Sequence, residues 1–151
     1  TNNCTAIIAG DGEAMQYYIG KAKSSGVLDK IKFIGKIPYL HLFQYTALGD
    51  IGWLVIKGCG LSNQLALPNK LFEYTLMGLP VISSPLKNTG QIIEKFNLGV
   101  VVDENNVPEQ LKALTKMINN KNNYKEINKI VEQKFSWDSQ SKNLLSLINE
   151  E

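Results

Sequence analysis

Histidine and cysteine are nearly absent from this chain, and that removes several kinds of chemistry at the outset. There are two cysteines, Cys4 and Cys59, and a single histidine, His41. Cys4 stands at the edge of a strand pattern and Cys59 in a loop, without metal-ligand spacing. They are expected as thiols in a reducing cytosol. His41 lies inside a helical pattern with no Asp or Cys partner at meaningful spacing, which favours a surface or structural role over catalysis. Long apolar runs are missing too: none approaches the ~18 residues that a membrane span needs, and none reads as a signal peptide. Peripheral contact with a membrane is left open. Charge of one sign does not accumulate. Lys and Arg number 16 against 14 Asp and Glu, and the net charge of +2 is spread without a basic patch, so nucleic acid is not expected as a partner. Internal repeats, low-complexity segments and linkers are absent.

What is present is ordinary for a folded domain. A length of 151 residues with 44% hydrophobic and 20% charged residues is enough for one domain with a real core. Short apolar runs alternate with helical patterns. Thr5-Ala6-Ile7-Ile8-Ala9 ends at Gly10-Asp11-Gly12, and residues 13–24 then carry Met15, Tyr18, Ile19 and Ala22 at helical spacing. The turn is not the dinucleotide fingerprint, because no third glycine follows Gly12 at the required offset. Ile31-Lys32-Phe33-Ile34 is a second strand, closed by Gly35, and Pro38 opens a helix to about Leu48. Residues 50–56 and 80–84 and Gly99-Val100-Val101-Val102 supply three more strands. Asn88 is expected to cap a helix reaching Phe96, and Pro108 to open one over residues 109–118. A further helix is expected from about Tyr124 to Gln133, and a last one with Ser136 as its N-cap. Strands alternating with helices in this way predict an α/β fold: a single Rossmann-like domain, with a parallel sheet of about five strands and helices on both faces.

The most informative stretch runs from Leu67 to Ile82. Pro68 suits the first helical position, where a missing N–H costs nothing. The amides of Asn69 and Lys70 would then be free at a helix N-terminus, a place that binds anions and phosphates above all. Lys70 and Glu73, three apart, share a helix face. Gly78 closes the helix, Pro80 prevents its continuation, and Val81-Ile82 begins a strand. Before it, residues 57–67 form a polar, glycine-bearing segment at the carboxyl end of a strand. It is expected as a loop of the length at which loops tend to be functional, and open α/β sheets place ligands at that end.

This stretch resembles the donor-binding helix of retaining glycosyltransferases of family 4, which have the GT-B fold. The resemblance rests on Glu73, then Tyr74-Thr75-Leu76-Met77, then Gly78-Leu79-Pro80-Val81, preceded by Pro68-Asn69-Lys70. It extends more weakly from Ala6 to the C-terminus, through the Gly10-Asp11-Gly12 turn, the strand before Gly35, Gly90, and Phe135-Ser136-Trp137. The family's E-x7-E pattern is broken, because Leu65 stands eight residues before Glu73. The resemblance implies the second half of a GT-B fold that lacks its first strand–helix unit. Residues 1–151 would be the nucleotide-sugar-binding C-terminal domain of a two-domain enzyme, whose own N-terminal domain holds the acceptor. In the doubly wound order the missing strand is central, so the strands at 6–9 and 51–56 are expected either to pair directly or to be covered by a second copy, direct pairing being slightly favoured.

The implied reaction transfers a sugar from a nucleotide sugar to a glycan or lipid acceptor with retention, as in polysaccharide biosynthesis. The chain alone would be inactive. Glu73 would accept bonds from the ribose hydroxyls, which a carboxylate does with two charge-assisted oxygens. Asn69 and Lys70 would meet the diphosphate. Gly35, Lys36 and Ile37 would meet the base through the backbone. With Leu65 in place of the glutamate, the sugar would be met by backbone amides and the segment Ser62, Asn63, Gln64, Leu65 and Ala66. No Asp-x-Asp motif is present, and no metal or cofactor is expected, since GT-B enzymes neutralise the leaving diphosphate with protein groups. The nucleotide sugar is a substrate. The expected setting is the cytoplasm, with membrane association at its inner face left open. The plain alternative for Glu73 is a solvated residue paired with Lys70 and complementing the helix dipole. Two other functions stay open for the chain: a non-catalytic Rossmann-like interaction module, and half of a nucleotide-sugar epimerase, against which the single His41 argues.

Overall fold

The structure, a computed structural model, describes residues 4–148. The chain divides into two compact units, Thr1–Phe43 and Gln44–Glu151. In the first, strand β1 (Ala6–Ala9) is followed by helix α1 (Met15–Ser24), a 3-10 turn (Leu28–Lys30) and strand β2 (Ile31–Gly35). The two strands are parallel, with Ile7 opposite Lys32, Ile8 opposite Phe33, and a shift of register before Ala9 meets Gly35. Gly35 has φ of +68°, a conformation that glycine adopts without cost, and its carbonyl accepts the Gly10 amide at 2.7 Å. Little of this unit is buried. Ile7 and Ile8 are 55% and 42% exposed.

Helix α2 (Tyr39–Thr46) leads to the second unit. There strand β3 (Gly52–Leu54) precedes helices α3 (Gly60–Leu65) and α4 (Asn69–Leu76), strand β4 (Val81–Ser83), helix α5 (Lys87–Phe96), strand β5 (Gly99–Val101) and helix α6 (Val107–Asn119). A 3-10 turn (Lys121–Tyr124) then leads to helices α7 (Ile127–Phe135) and α8 (Trp137–Ile148). The sheet order is β3-β4-β5, parallel throughout. β4 is central, and successive side chains of a strand point to opposite faces. Val81 accordingly packs with Leu54, Leu71, Ile93, Leu98, Ile127 and Val131. Ile82 packs with Val102, Ala113 and Met117. Helices α4, α5 and α7 therefore cover one face and α6 the other, which is why β4 reads as a continuous apolar run.

The α/β class, the parallel pairing and the helices on both faces are as the sequence implies. The five strands, however, form two sheets: β1 pairs with β2, and β3 with β4. Each sheet lies within one unit, β1-β2 in the first and β3-β4-β5 in the second, in place of the single sheet of about five strands that the sequence implies.

Several helix ends are closed by local chemistry. Gly78 has φ of +81°, the Gly78 amide donates to Thr75 O at 3.0 Å and the Leu79 amide to Tyr74 O at 3.0 Å. This double closure turns the chain from α4 into β4. Asn97, at φ of 51°, does the same for α5. Asn106 caps α6 by accepting the Glu109 amide at 3.1 Å, and Ser136 caps α8 by accepting the Ser139 amide at 3.2 Å. The expected helix start at Tyr124 falls instead in a 3-10 turn, because Glu126 takes φ of 71° and breaks the run.

Candidate functional site

In a parallel sheet all carboxyl ends lie on one edge. On β3-β4-β5 that edge is cross-tied by side chains. Ser84 Oγ donates to Ile56 O at 2.6 Å and accepts the Ile56 amide at 3.0 Å, joining the exits of β4 and β3. The Gly58 amide donates to Glu104 Oε1 at 3.2 Å, joining the exits of β3 and β5. Ser84 is buried, so its hydroxyl has to be satisfied within the protein.

Between β3 and α4 the sequence predicts a loop, and the structure has a helix, α3. Ser62, Asn63, Gln64 and Leu65 lie on it and Ala66 is its C-cap residue. Its polar side chains fold back on the loop before it: Asn63 Nδ2 donates to Lys57 O at 3.1 Å and Gln64 Nε2 to Gly58 O at 3.4 Å. Its last carbonyls are also taken. Asn88 Nδ2 donates to Leu65 O at 2.7 Å, and Thr89 Oγ1 to Ala66 O at 2.9 Å. Asn88 is therefore not the cap of α5, which has Leu86 at that position and no side-chain cap. Six residues that open on Gly60 carry no apolar period from which to read a helix. Bonds from residues 23 positions away hold it.

Helix α4 starts at Asn69, one residue later than expected, with Pro68 (φ −67°) at the capping position and not at the first helical position. The Leu71 amide donates to Pro68 O at 3.0 Å, while among the described residues the amides of Asn69 and Lys70 have no acceptor. Leu71 and Thr75 are fully buried, and the Thr75 hydroxyl donates to Leu71 O at 2.7 Å. That fixes the inward face, so Asn69 and Lys70 are exposed and Glu73 is half-buried. Among the described residues Lys70 and Glu73 form no ion pair. Burial pushes the Tyr74 phenol above its ordinary pKa, and the neighbouring Glu73 carboxylate adds to that rise.

Asn69, Lys70 and Glu73 thus share one helix, and α3 precedes it by a short link. Gly35 ends β2 in the first unit and Lys36 and Ile37 follow the strand, with Lys36 exposed. An apolar hollow of about 270 Å³ in that unit is lined by Ile8, Tyr18, Phe33 and the turn Gly10, Asp11 and Gly12. Among the described residues no group of three or more His, Cys, Asp or Glu is gathered as for a metal, and no helix is long and apolar enough to cross a membrane. The residues missed by sequence reasoning are Ser84, Asn88, Thr89 and Glu104. Only the two serines ending an apolar strand gave a hint of them.

The family model described as "Glycosyl transferases group 1" matches residues 1–137. The chain belongs to that family. No curated protein matches this group 1 glycosyl transferase chain significantly. Two solved structures show the fold. One is WaaG, described as a glycosyltransferase involved in lipopolysaccharide biosynthesis. It is 18% identical, with a TM-score of 0.69, over 94% of this chain and 37% of that one. The other is Alr3699/HepE from Anabaena, solved in complex with UDP and glucose. It is 17% identical, with a TM-score of 0.74, over 97% of this chain and 41% of that one. The group 1 chain thus spans about two fifths of the length of either protein.

Proposed function

We propose that this chain is the donor-binding C-terminal domain of a retaining, family 4 glycosyltransferase of GT-B architecture, acting with an N-terminal domain that binds the acceptor. The observation that carries this reading is the start of α4: two open amides and a lysine, with a carboxylate one turn further on, at the carboxyl edge of a parallel sheet. The amides of Asn69 and Lys70 and the Lys70 ammonium meet the diphosphate. Glu73 accepts from the ribose hydroxyls. The backbone of Gly35, Lys36 and Ile37 borders the base. Helical bonding uses the amides of α3 from Asn63 on, and the Asn63 and Gln64 side-chain NH2 groups are engaged by Lys57 O and Gly58 O, so what residues 62–66 offer the sugar is the amide and hydroxyl of Ser62 and the side-chain oxygens of Asn63 and Gln64.

Transfer breaks the bond from the anomeric carbon to the diphosphate oxygen, and the electron pair leaves with the diphosphate. The acceptor oxygen bonds to the same face of that carbon and gives up its proton. Amides already aimed at the departing oxygens stabilise the developing charge without reorganising. HepE was solved with UDP and glucose, which supports a nucleoside diphosphate sugar as the donor class here. WaaG's role in lipopolysaccharide biosynthesis supports glycan assembly, with the cytoplasm as the expected setting and association with the inner face of a membrane left open.

Titration with UDP and GDP, followed by calorimetry and thermal unfolding, tests this. Saturation at 100 times the dissociation constant stabilises by about 2.7 kcal/mol, so a clear rise in unfolding temperature is expected with one of them. No shift with any nucleoside diphosphate at millimolar concentration would sink the donor role. It would favour a non-catalytic interaction module, a reading that Leu65 in place of a sugar-contacting glutamate supports.

A further inference from the structure

Asn88 and Thr89 do something that a helix start does not need. They sit in the first turn of α5, yet their side chains leave it to grip two successive carbonyls, those of Leu65 and Ala66, at 2.7 and 2.9 Å. Thr89 is fully buried, so its hydroxyl has one fixed task. The other end of the same segment is held as well, through the Gly58 amide on Glu104. From the pinned Ala66 carbonyl only Leu67 and Pro68 remain before the amide of Asn69. Proline fixes its own φ and restricts the residue before it. Few soft torsions are therefore left between the Thr89 hydroxyl and the open amides of α4.

We infer that Asn88 and Thr89 are positioning residues for the donor diphosphate: by clamping the end of α3 they fix where the Asn69 and Lys70 amides point. This rests on the donor reading of α4 given above. Neither residue needs to touch the ligand. Both lie outside the stretch from Leu67 to Ile82 that holds the donor-type helix.

Thr89→Val keeps the shape and loses the donor, Thr89→Ser keeps the donor, and Asn88→Ala tests the exposed half of the clamp. Two readouts are taken on the whole chain: amide exchange over residues 66–71 without ligand, read at the hydrogen-bonded amides of Ala66 and Leu71, and the calorimetric affinity for UDP or GDP. The expected result for Thr89→Val and for Asn88→Ala is faster exchange in that segment and a nucleotide affinity lower by about three- to tenfold. Exchange elsewhere in the β3-β4-β5 sheet should be unchanged, and Thr89→Ser should restore both properties. Unchanged exchange over residues 66–71 overturns the clamp. Faster exchange with wild-type affinity overturns its role in positioning. If Thr89→Val does not fold, Asn88→Ala decides by the same two readouts. A wild-type chain that binds no nucleotide overturns the donor reading itself and this inference with it, and the exchange data then tell the two failures apart.

Discussion

Glu73 and Tyr74 are neighbours with opposite requirements, and both can be tested one residue at a time. Glu73 is half-buried without an ion pair to Lys70, so its carboxylate is available to a ligand. Glu73→Ala is expected to leave the fold intact and to weaken nucleoside diphosphate binding by about 1.5–3 kcal/mol, the usual loss for a charged hydrogen-bonding group. An unchanged affinity in the folded variant, measured by calorimetry, removes the ribose role. Tyr74 is held protonated, first by burial and then by Glu73. Above pH ~10 the unfolded chain releases its phenolic proton while the folded chain retains it, so stability falls as pH rises through that range. Tyr124, also raised by burial, acts in the same direction. Urea unfolding at neutral pH and at a pH near 11 should therefore show a smaller loss in Tyr74→Phe than in the wild type. Equal losses would assign the effect to other groups.

Helices and strands in this chain are decided partly by local chemistry and partly by neighbours, and two glycines separate the cases. Gly78 is local. Its φ of +81° closes α4, and nothing stands within 4 Å of where a Cβ would be. Gly78→Ala should cost about 1–2 kcal/mol for backbone conformation alone. Gly99 is a matter of packing, since a Cβ there would run into the backbone of Val81 on the adjacent strand. Backbone in mid-sheet cannot step aside, so Gly99→Ala should cost about 3 kcal/mol or more. Chemical denaturation of the two variants should rank them in that order, and the reverse ranking would contradict the packing argument. The same division governs what was legible. The ends of α4 and α8 follow from Gly78 and Ser136, which act within a few residues, while α6 opens at Val107 on the cap of Asn106, just before the expected start at Pro108. Helix α3 was read as a loop because its support comes from Asn88 and Thr89, beyond the reach of any local pattern.

Stability is unevenly spread over the whole molecule. Apart from Ala22, every buried hydrophobic residue described belongs to the second unit. Buried apolar contact is what resists local opening, so native-state amide exchange should be slowest in β3, β4 and β5 and much faster in β1 and β2. Comparable protection in the two sheets would show that the first unit draws on stability from another source. The donor reading adds an outcome at this scale: the chain is expected to bind a nucleotide yet to give no turnover with nucleotide sugars and glycan or lipid acceptors. Detected transfer would overturn the assignment of the acceptor to another domain.

The sequence by itself determined the alternation of strands and helices, the parallel class, the Ser136 cap, and the helix between Pro68 and Gly78, because each is written in residues a few positions apart. Tertiary structure alone decided that the strands form two sheets, that residues 60–65 are helical, and that Asn88 and Thr89 serve Leu65 and Ala66 and not their own helix. Those outcomes depend on which backbone groups come within hydrogen-bonding distance once the core around Val81 and Ile82 has closed. Periodicity carries no information about distances between residues far apart in the chain.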